Sequence, residues 1–297
     1  MSALLLALLL SQAAEPVAEP VAGPVPESDL PRAARDTADV GPAGRWSAGF
    51  FNPTRLAIAD SFELEFHPIL FFVAPNLVGR FALSKEAVRV TIEAGLLVPT
   101  FGMRLTKGYL FPTWATSSND IGWMVIPRIG VLISGNVRKH DVWTLRADYA
   151  GRVLLGPNSA TPLESFLAPL DLLMAAPTTG FLGGFGGAYD AAITQRLRLR
   201  AAVNFYVSGA ANQNLYVDGN NLGPLAPRDP FIITTHVGLD VAVFKHSRIT
   251  IGVLWGNYDQ GATAIVLDKD GFAERVRGRS NNFLPTLDYI WAGGFGD

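Results

Sequence analysis

The stretch Arg196–Gly209, RLRLRAAVNFYVSG, alternates apolar and polar residues over most of its length. Its apolar members are Leu197, Leu199, Ala201, Val203, Phe205 and Val207, and they are interleaved with Arg196, Arg198, Arg200, Asn204 and Tyr206. A period of two places these sets on opposite faces of a β-strand. The run is longer than the roughly 5–6 residues of an ordinary strand and suits the roughly 9–11 of a tilted membrane strand. A nucleic-acid groove, a soluble sheet and a membrane barrel wall all remain open at this point.

The same alternation recurs along the chain, with charged residues confined to one face of each strand. It is found in FELEFH (62–67), VRVTIEAGLLV (88–98), WTLRADYAGRV (143–153), IITTHVGLDVAVF (232–244) and RITIGVLW (248–255). Short polar turns at 84–86, 134–140, 194–195 and 245–247 alternate with long connections at about 99–120, 155–180, 209–230 and 257–282. Short turns at one rim and long loops at the other are typical of a transmembrane β-barrel.

Counting between these connections predicts about ten strands, within a range of eight to twelve. They lie near 54–67, 70–83, 87–98, 121–134, 141–154, 181–193, 196–208, 231–243, 247–256 and 283–295. A turn at Asp60-Ser61 would split the first strand and move the total toward twelve. Pro127 lies inside a predicted strand, where its missing N–H predicts a bulge.

Composition narrows the class of protein. Charged residues make up 17% of the chain, against roughly 25% in soluble proteins, and the net charge is −2. A near-neutral chain does not indicate a nucleic-acid partner. The absence of cysteine excludes disulfides, a lipoprotein anchor and cysteine-based metal sites.

A soluble lipocalin-like barrel is the alternative for the same alternation, with the apolar face turned inward. The distribution of cations argues against it, because soluble surfaces use lysine freely. Lysine occurs only at Lys85, Lys107, Lys139, Lys245 and Lys269, all in predicted turns or loops. The polar strand faces carry arginine with comparable numbers of carboxylates, which suits a narrow enclosed lumen. The sequence therefore predicts an all-β, closed, antiparallel up-and-down transmembrane β-barrel.

These features resemble Gram-negative outer-membrane β-barrel proteins over about residues 50–297. The final segment LDYIWAGGFGD (287–297) is similar to the C-terminal aromatic segment by which such proteins are recognised for insertion. The resemblance implies residence in the outer membrane, contact with outer-membrane lipid, and an encounter with the barrel-insertion machinery during biogenesis.

Three regions are predicted along the chain. Residues 1–13 have the apolar core ALLLALLL and the small residues of a signal peptide. Residues 14–44 are rich in proline and alanine and are predicted to form a disordered leader or linker. Residues 45–297 form the barrel.

The inward faces supply the candidate functional residues. They are Glu63, Glu65, Arg80, Arg89, Glu93, Arg128, Arg146, Asp148, Arg152, Asp190, Arg196, Arg198, Arg200, His236, Asp240, Arg248 and Asp288. Ten strands enclose little more than their own side chains, so a mostly filled lumen is expected. The leading function is a small pore or passive transport protein with this lining and an unidentified solute. The alternative is a sealed structural or adhesion barrel whose extracellular loops bind a ligand.

An outer-membrane hydrolase is the third possibility, and the sequence predicts that the chain is not an enzyme. His236 shares a face with Asp240, but four residues of strand separate them by about 13 Å. No nucleophile motif, metal site or cofactor site is predicted. The glycines of GFLGGFGGAYD (180–190) are predicted to relieve crowding in the wall or to permit sharp coiling, and Thr161–Glu164 has the form of a helix capping box.

Overall fold

The computed structural model describes residues 34–106, 121–138, 140–156, 180–209, 214–217, 220–224, 229–267 and 273–294. The strands of the first half are β1 (Arg45–Gly49), β2 (Thr54–Ala59), β3 (Phe62–Phe66), β4 (Asn76–Lys85), β5 (Val88–Leu97), β6 (Trp123–Arg138), β7 (Asp141–Gly151) and β8 (Val153–Leu155). The second half contains β9 (Phe181–Ala192), β10 (Leu197–Ser208), β11 (Asn214–Val217), β12 (Asn220–Pro224), β13 (Phe231–Phe244), β14 (Ser247–Leu267) and β15 (Ala273–Gly294). Two short helices, α1 (Pro68–Val73) and α2 (Thr100–Thr106), follow β3 and β5. None of the described helices is long and apolar enough to span a membrane.

Twelve of these strands form one closed antiparallel ring. Its order is β1-β2-β3-β4-β5-β6-β7-β9-β10-β13-β14-β15, and β15 returns to pair with β1. β8 pairs with β6 on the same side as β7 does, and β11 and β12 form a separate hairpin. Each ring strand pairs with its neighbour in sequence, so the predicted up-and-down barrel is confirmed. Its twelve strands are at the upper end of the predicted range.

The predicted count of ten was too low because it treated residues 54–67 as one strand and did not include β1. A turn at Asp60-Ser61 divides β2 from β3, and β1 precedes them. The strand predicted at 70–83 begins only at Asn76, because Pro68–Val73 forms α1. The run PILFFV is continuously apolar, and such a run does not distinguish a strand from a short helix.

Pro127 pairs in regular register with Leu96 of β5, so the predicted bulge is not on that side. The β6–β7 ladder begins at Arg128, and the β6–β8 ladder ends at Val125. The irregularity that the proline predicts therefore lies on its β7 side, where the pairing is interrupted.

The outer face of the ring is apolar. Large exposed side chains on it include Leu145, Tyr149, Phe185, Leu199, Val203, Phe205, Val237, Leu239, Ile251 and Val253. Aromatic rings stack on this face, for example Phe185 on Phe205 with centroids 5.2 Å apart. A closed ring leaves its interior to the polar residues of the alternation. The apolar band faces lipid, which places the barrel in a membrane.

The wall is uneven in height. β1, β2 and β3 have five or six residues each, roughly half of what a membrane strand needs, whereas β14 and β15 have 21 and 22. Pairing between β1 and β15 ends at Gly49 opposite Ile290. Beyond that pair, β15 has no partner on its β1 side among the described strands. We call this stretch, 273–289, the open edge of β15.

Residues 34–44 lie inside the barrel, although the sequence assigned them to a disordered leader. Thr37 and Ala38 are 3% and 1% exposed, and Val40 is also buried. The segment approaches the rim of short turns, where the Ala43 amide donates to Asp60 at 2.9 Å and the Gly44 amide to the Ala57 carbonyl at 2.8 Å. We call residues 34–44 the plug. Residues 1–33, including the predicted signal peptide, are outside the described part of the chain.

Candidate functional site in the barrel lumen

The plug is held through its main chain by three neighbouring wall strands. Arg80 of β4 donates to the Thr37 carbonyl at 2.5 Å, and the Thr91 hydroxyl of β5 donates to the Ala38 carbonyl at 2.5 Å. The Ala38 amide donates to the Ser134 hydroxyl of β6 at 2.8 Å. Buried main-chain N–H and C=O groups need hydrogen-bond partners. In a sheet a neighbouring strand supplies them, and for the plug the inward polar side chains of the wall supply them.

Charged side chains of the plug bind the opposite wall. Arg35 forms a two-bonded ion pair with Asp240 of β13, at 2.5 and 3.0 Å. Asp36 lies between Arg55 of β2 and Arg200 of β10, at 2.9 Å from each. The plug therefore spans the lumen from β13 and β10 to β4, β5 and β6.

Arg80 also forms ion pairs with two carboxylates of the wall. It is 2.5 Å from Glu63 and 3.0 Å from Glu93, and all three side chains are buried. Burial of charge is costly unless each charge is paired, and removing one member leaves another uncompensated. The alternation puts these residues at one height because Glu63 pairs with Arg80, and Arg80 with Glu93, across adjacent strands.

Two further arginines that contact this cluster are partly accessible. Arg128 and Arg146 lie 3.6 and 3.7 Å from the same oxygen of Glu93. Their side chains are 27% and 37% exposed, whereas Glu93 is 7% exposed. Arg146 also contacts Asp148 at 3.1 Å. Two cations therefore share one buried carboxylate and remain partly exposed.

Near the rim of short turns, charges pair in the same way. Arg198 binds the carboxylate of Asp190 and donates to the His140 carbonyl at 2.7 Å. Arg248 lies 3.5 Å from Asp240, and Arg89 lies 3.2 Å from Asp39 of the plug.

Among the described residues, arginines and carboxylates in the lumen balance. The nine arginines are Arg35, Arg55, Arg80, Arg89, Arg128, Arg146, Arg198, Arg200 and Arg248. The nine carboxylates are Asp36, Asp39, Glu63, Glu65, Glu93, Asp148, Asp190, Asp240 and Asp288. Two of these carboxylates and one arginine belong to the plug, so the wall alone carries an excess of positive charge.

Most of the residues predicted from sequence to line the lumen face inward. They are Glu63, Glu65, Arg80, Arg89, Glu93, Arg128, Arg146, Asp148, Asp190, Arg198, Arg200, His236, Asp240 and Arg248. Two positions are corrected. Arg196 is exposed in the turn before β10, and Arg152 lies half-buried between β7 and β8. In both cases the alternation continues past the last paired residue, so the pattern does not mark the end of the strand.

Asp288 faces inward but has a different role from a lumen lining. Its carboxylate accepts the amides of Phe50 and Asn52 at 2.8 and 2.7 Å, and the Asn52 side-chain amide at 2.6 Å. A Cβ at Gly49 would lie 2.5 Å from this carboxylate, so the close approach requires glycine. Asp288 thus secures the β1–β2 loop where β1 leaves β15.

Arg35, Asp36, Asp39 and Arg55 were not predicted as lumen residues. The sequence gives little indication that these residues lie in the lumen, because Arg35–Asp39 (RDTAD) is a charged run at the end of a proline- and alanine-rich segment. Nothing in that composition predicts an ordered position inside a barrel.

The inward glycines of β9 make room for side chains from β10. A Cβ at Gly186 would lie 2.2 Å from the Asn204 side-chain oxygen, and one at Gly184 would lie 2.7 Å from the Tyr206 ring. The predicted relief of crowding is therefore present at Gly184 and Gly186. The helix predicted after Thr161 lies outside the described residues, as does Phe295 of the C-terminal aromatic segment.

The prediction that the chain is not an enzyme is corrected here. It relied on the distance from His236 to Asp240 along one strand, whereas the structure brings other elements to the histidine. Nε2 of His236 lies 3.3 Å from Thr286 of β15, and the plug reaches Asp240 through Arg35. Separation along a strand therefore does not exclude a catalytic group in this lumen.

No family model and no curated protein matches the chain. Two solved structures are similar in fold, both of OmpT from Vibrio cholerae. The outer-membrane expressed form is 11% identical, with a TM-score of 0.43, covering 81% of this chain and 63% of that one. The in-vitro folded form, an outer membrane protein, is 11% identical, with a TM-score of 0.40, covering 90% and 73%. The chain thus spans less than two thirds of the first structure.

The closed ring, its apolar outer face and its rim of short turns define the class of protein. The chain is an outer-membrane β-barrel protein, and its charged interior is occupied by its own plug.

Proposed function

We propose that the protein is a passive transport protein whose passage is closed by the plug. The observation that carries the proposal is the set of bonds from Arg80, Thr91 and Ser134 to the main chain of Thr37 and Ala38. These bonds close the lumen at one level. They are individually weak, since a hydrogen bond contributes about 0.5–1.5 kcal/mol net and more when charged.

The rest of the lumen supports a passage that can open. The plug forms no strand pairing with the wall, and the chain has no cysteine that could tether it covalently. Arg128 and Arg146, which line the lumen, remain partly exposed.

A disulfide between the plug and the wall tests this proposal. The amide of Ala38 is 2.8 Å from the Ser134 hydroxyl, so A38C/S134C places two sulfurs close together in an otherwise cysteine-free chain. We expect discrete conductance steps in planar bilayers for the wild type and the reduced variant. The oxidised variant should conduct at least about tenfold less often, because the disulfide prevents the plug from moving.

The matched control locks two wall strands and leaves the plug free. Ser134 and Thr144 face each other in register, with their hydroxyl oxygens 2.9 Å apart. The variant S134C/T144C should conduct equally before and after reduction. Equal conductance of oxidised and reduced A38C/S134C would overturn the plug as the gate. No conductance in any variant would support the sealed structural barrel instead.

A further inference from the structure

The inward face above Arg128 changes from charged to mainly apolar. Its large apolar and aromatic residues are Leu97, Ile126, Leu182, Tyr206, Ile232, Leu254 and Leu284, and Asn204, Thr234 and Asn282 are polar residues on the same face. Ile126 and Leu182 are buried and pack with Leu97 and Tyr206 on one side. Across from them, Leu254 and Leu284 face inward by the alternation that brings Thr286 to His236. We call this region the upper lumen.

The upper lumen is accessible as well as apolar. Leu284 is 43% exposed although it is on the inward face of β15, and Leu254, Leu97 and Tyr206 are half-buried. An aqueous passage would be expected to expose polar groups here. An exposed apolar lining favours a molecule with an aliphatic part, since burial of apolar surface contributes roughly 25 cal/mol per Å².

The floor of this region is cationic on its accessible side. The Arg128 and Arg146 side chains are 27% and 37% exposed, and both lie next to the shared Glu93 carboxylate. Guanidinium N–H groups suit a carboxylate, phosphate or sulfate, because two donors can bind one oxyanion in parallel. An apolar chamber above an arginine floor is complementary to an anionic head group on an aliphatic chain.

The side of the chamber at β15 lacks a full wall. The Ala292 amide donates to His246 on the β14 side, so odd-numbered amides from Tyr289 upward point toward the open edge. The Tyr289 amide is bonded to the Asp288 carboxylate at 2.8 Å, and Pro285 has no N–H to leave unsatisfied. These two positions of the open edge therefore leave no backbone N–H group without a hydrogen-bond acceptor.

Apolar side chains surround this gap. Phe50 and Phe51 are exposed in the β1–β2 loop, and Phe71 and Phe72 are exposed on α1. The low β1–β3 wall therefore ends in aromatic groups rather than in a polar rim. Backbone edges are costly in lipid, so a gap at this height is stable where it opens onto a lined cavity.

We infer that the upper lumen binds a single-chain anionic amphiphile, with its head group on Arg128 and Arg146 and its chain directed to the bilayer past the open edge of β15. The inference rests on the proposed function only in naming what is transported, because binding can be measured without transport. The shared chemistry is an oxyanion on an aliphatic chain, from a free fatty-acid-like molecule or from a membrane lipid.

Binding is tested on the full chain in bilayer discs with 11-(dansylamino)undecanoate, whose emission rises in apolar surroundings. We expect saturable binding that L284N weakens about tenfold by placing an amide in the chamber. The matched control is L287N, the same substitution on the lipid face of the same strand, which should change affinity less than about twofold. R146Q should weaken the carboxylate about tenfold but leave the corresponding dansyl alcohol within about twofold.

Displacement separates the two sources of the ligand. Displacement by dodecanoate and not by phosphatidylglycerol in the disc assigns the site to a free amphiphile, and displacement by phosphatidylglycerol assigns it to a membrane lipid. No saturable binding, or equal effects of L284N and L287N, would overturn the inference. Because the upper lumen is above the plug, oxidised A38C/S134C should still bind the probe. Binding without conductance would refute the transport function alone, and conductance without binding would refute the amphiphile site alone.

The lateral gap has its own readout. A nitroxide at T286C, beside the open edge, should collide with membrane-dissolved oxygen more often than one at N204C on β10, which is fully paired and lies three strands away. A water-soluble nickel chelate should show the reverse preference. Equal oxygen accessibility at the two inward positions would overturn the lateral route.

Discussion

Arg80 donates a hydrogen bond of 2.5 Å to the main-chain carbonyl of Thr37, so a fully buried cation of the wall also holds the plug. The same guanidinium neutralises Glu63 and Glu93. Closure of the lumen and stability of the wall therefore depend on one side chain, and its removal affects both.

Substitution of Arg80 by methionine should lower the free energy of unfolding by roughly 3–5 kcal/mol, because two buried carboxylates lose their nearest cation. Urea titration of the barrel in detergent, followed by heat-modifiable gel mobility, measures the loss. R196M is the matched control, since Arg196 is exposed in a turn, and it should change stability by less than about 0.5 kcal/mol. A loss below about 1 kcal/mol for R80M would contradict the assigned pairing.

The two adjacent glycines Gly186 and Gly187 should differ sharply in their tolerance of alanine. A Cβ at Gly186 would lie 2.7 Å from the Val203 carbonyl, which is backbone and cannot move aside, so G186A should cost roughly 1–3 kcal/mol. A Cβ at Gly187 meets nothing closer than 3.5 Å, so G187A should be nearly neutral. The same urea titration compares them, and equal losses would refute the inward orientation of Gly186.

Neutralising Asp36 should loosen the plug. D36N removes the charge of the carboxylate that lies 2.9 Å from both Arg55 and Arg200, so two lumen cations lose their ion pair with the plug. We expect more frequent conductance steps in planar bilayers, with a shift toward anion preference because the wall then carries additional uncompensated positive charge. E86Q in the exposed β4–β5 turn is the control and should behave as the wild type. An unchanged reversal potential for D36N would count against these ion pairs.

Asp288 should be more important to stability than to ion preference. D288A removes the acceptor for the amides of Phe50, Asn52 and Tyr289 and should destabilise the barrel by about 2–4 kcal/mol. D229N, at the exposed Arg279 pair, should cost less than about 1 kcal/mol. A large change of reversal potential with unchanged stability in D288A would show that Asp288 lines the passage after all.

The parts of the fold that follow from residue pattern were predictable. The alternation of Leu197, Leu199 and Val203 with Arg198 and Arg200 predicts both faces of β10, and the structure has them so. Local pattern does not say where pairing stops, which is why Arg196 and Arg152 were assigned inward. Pro68–Val73 forms a helix because a continuously apolar run carries no period.

The plug could not be predicted because its order depends on partners far along the chain. Ala38 is fixed by Thr91 and Ser134, and Arg35 by Asp240, more than 200 positions away. Taken alone, a segment rich in alanine and proline has too little apolar surface to order itself. The wall supplies that order through buried polar groups that the strand pattern placed inside.

The pairing of β1 with β15 has a consequence for biogenesis. It joins the first strand to the last through only five residue pairs, so the ring can close only after the whole barrel has been synthesised. The plug is covalently continuous with β1 and lies within that ring. Plug docking and ring closure are therefore coupled, because the segment that fills the lumen is tethered directly to the strand that closes the ring.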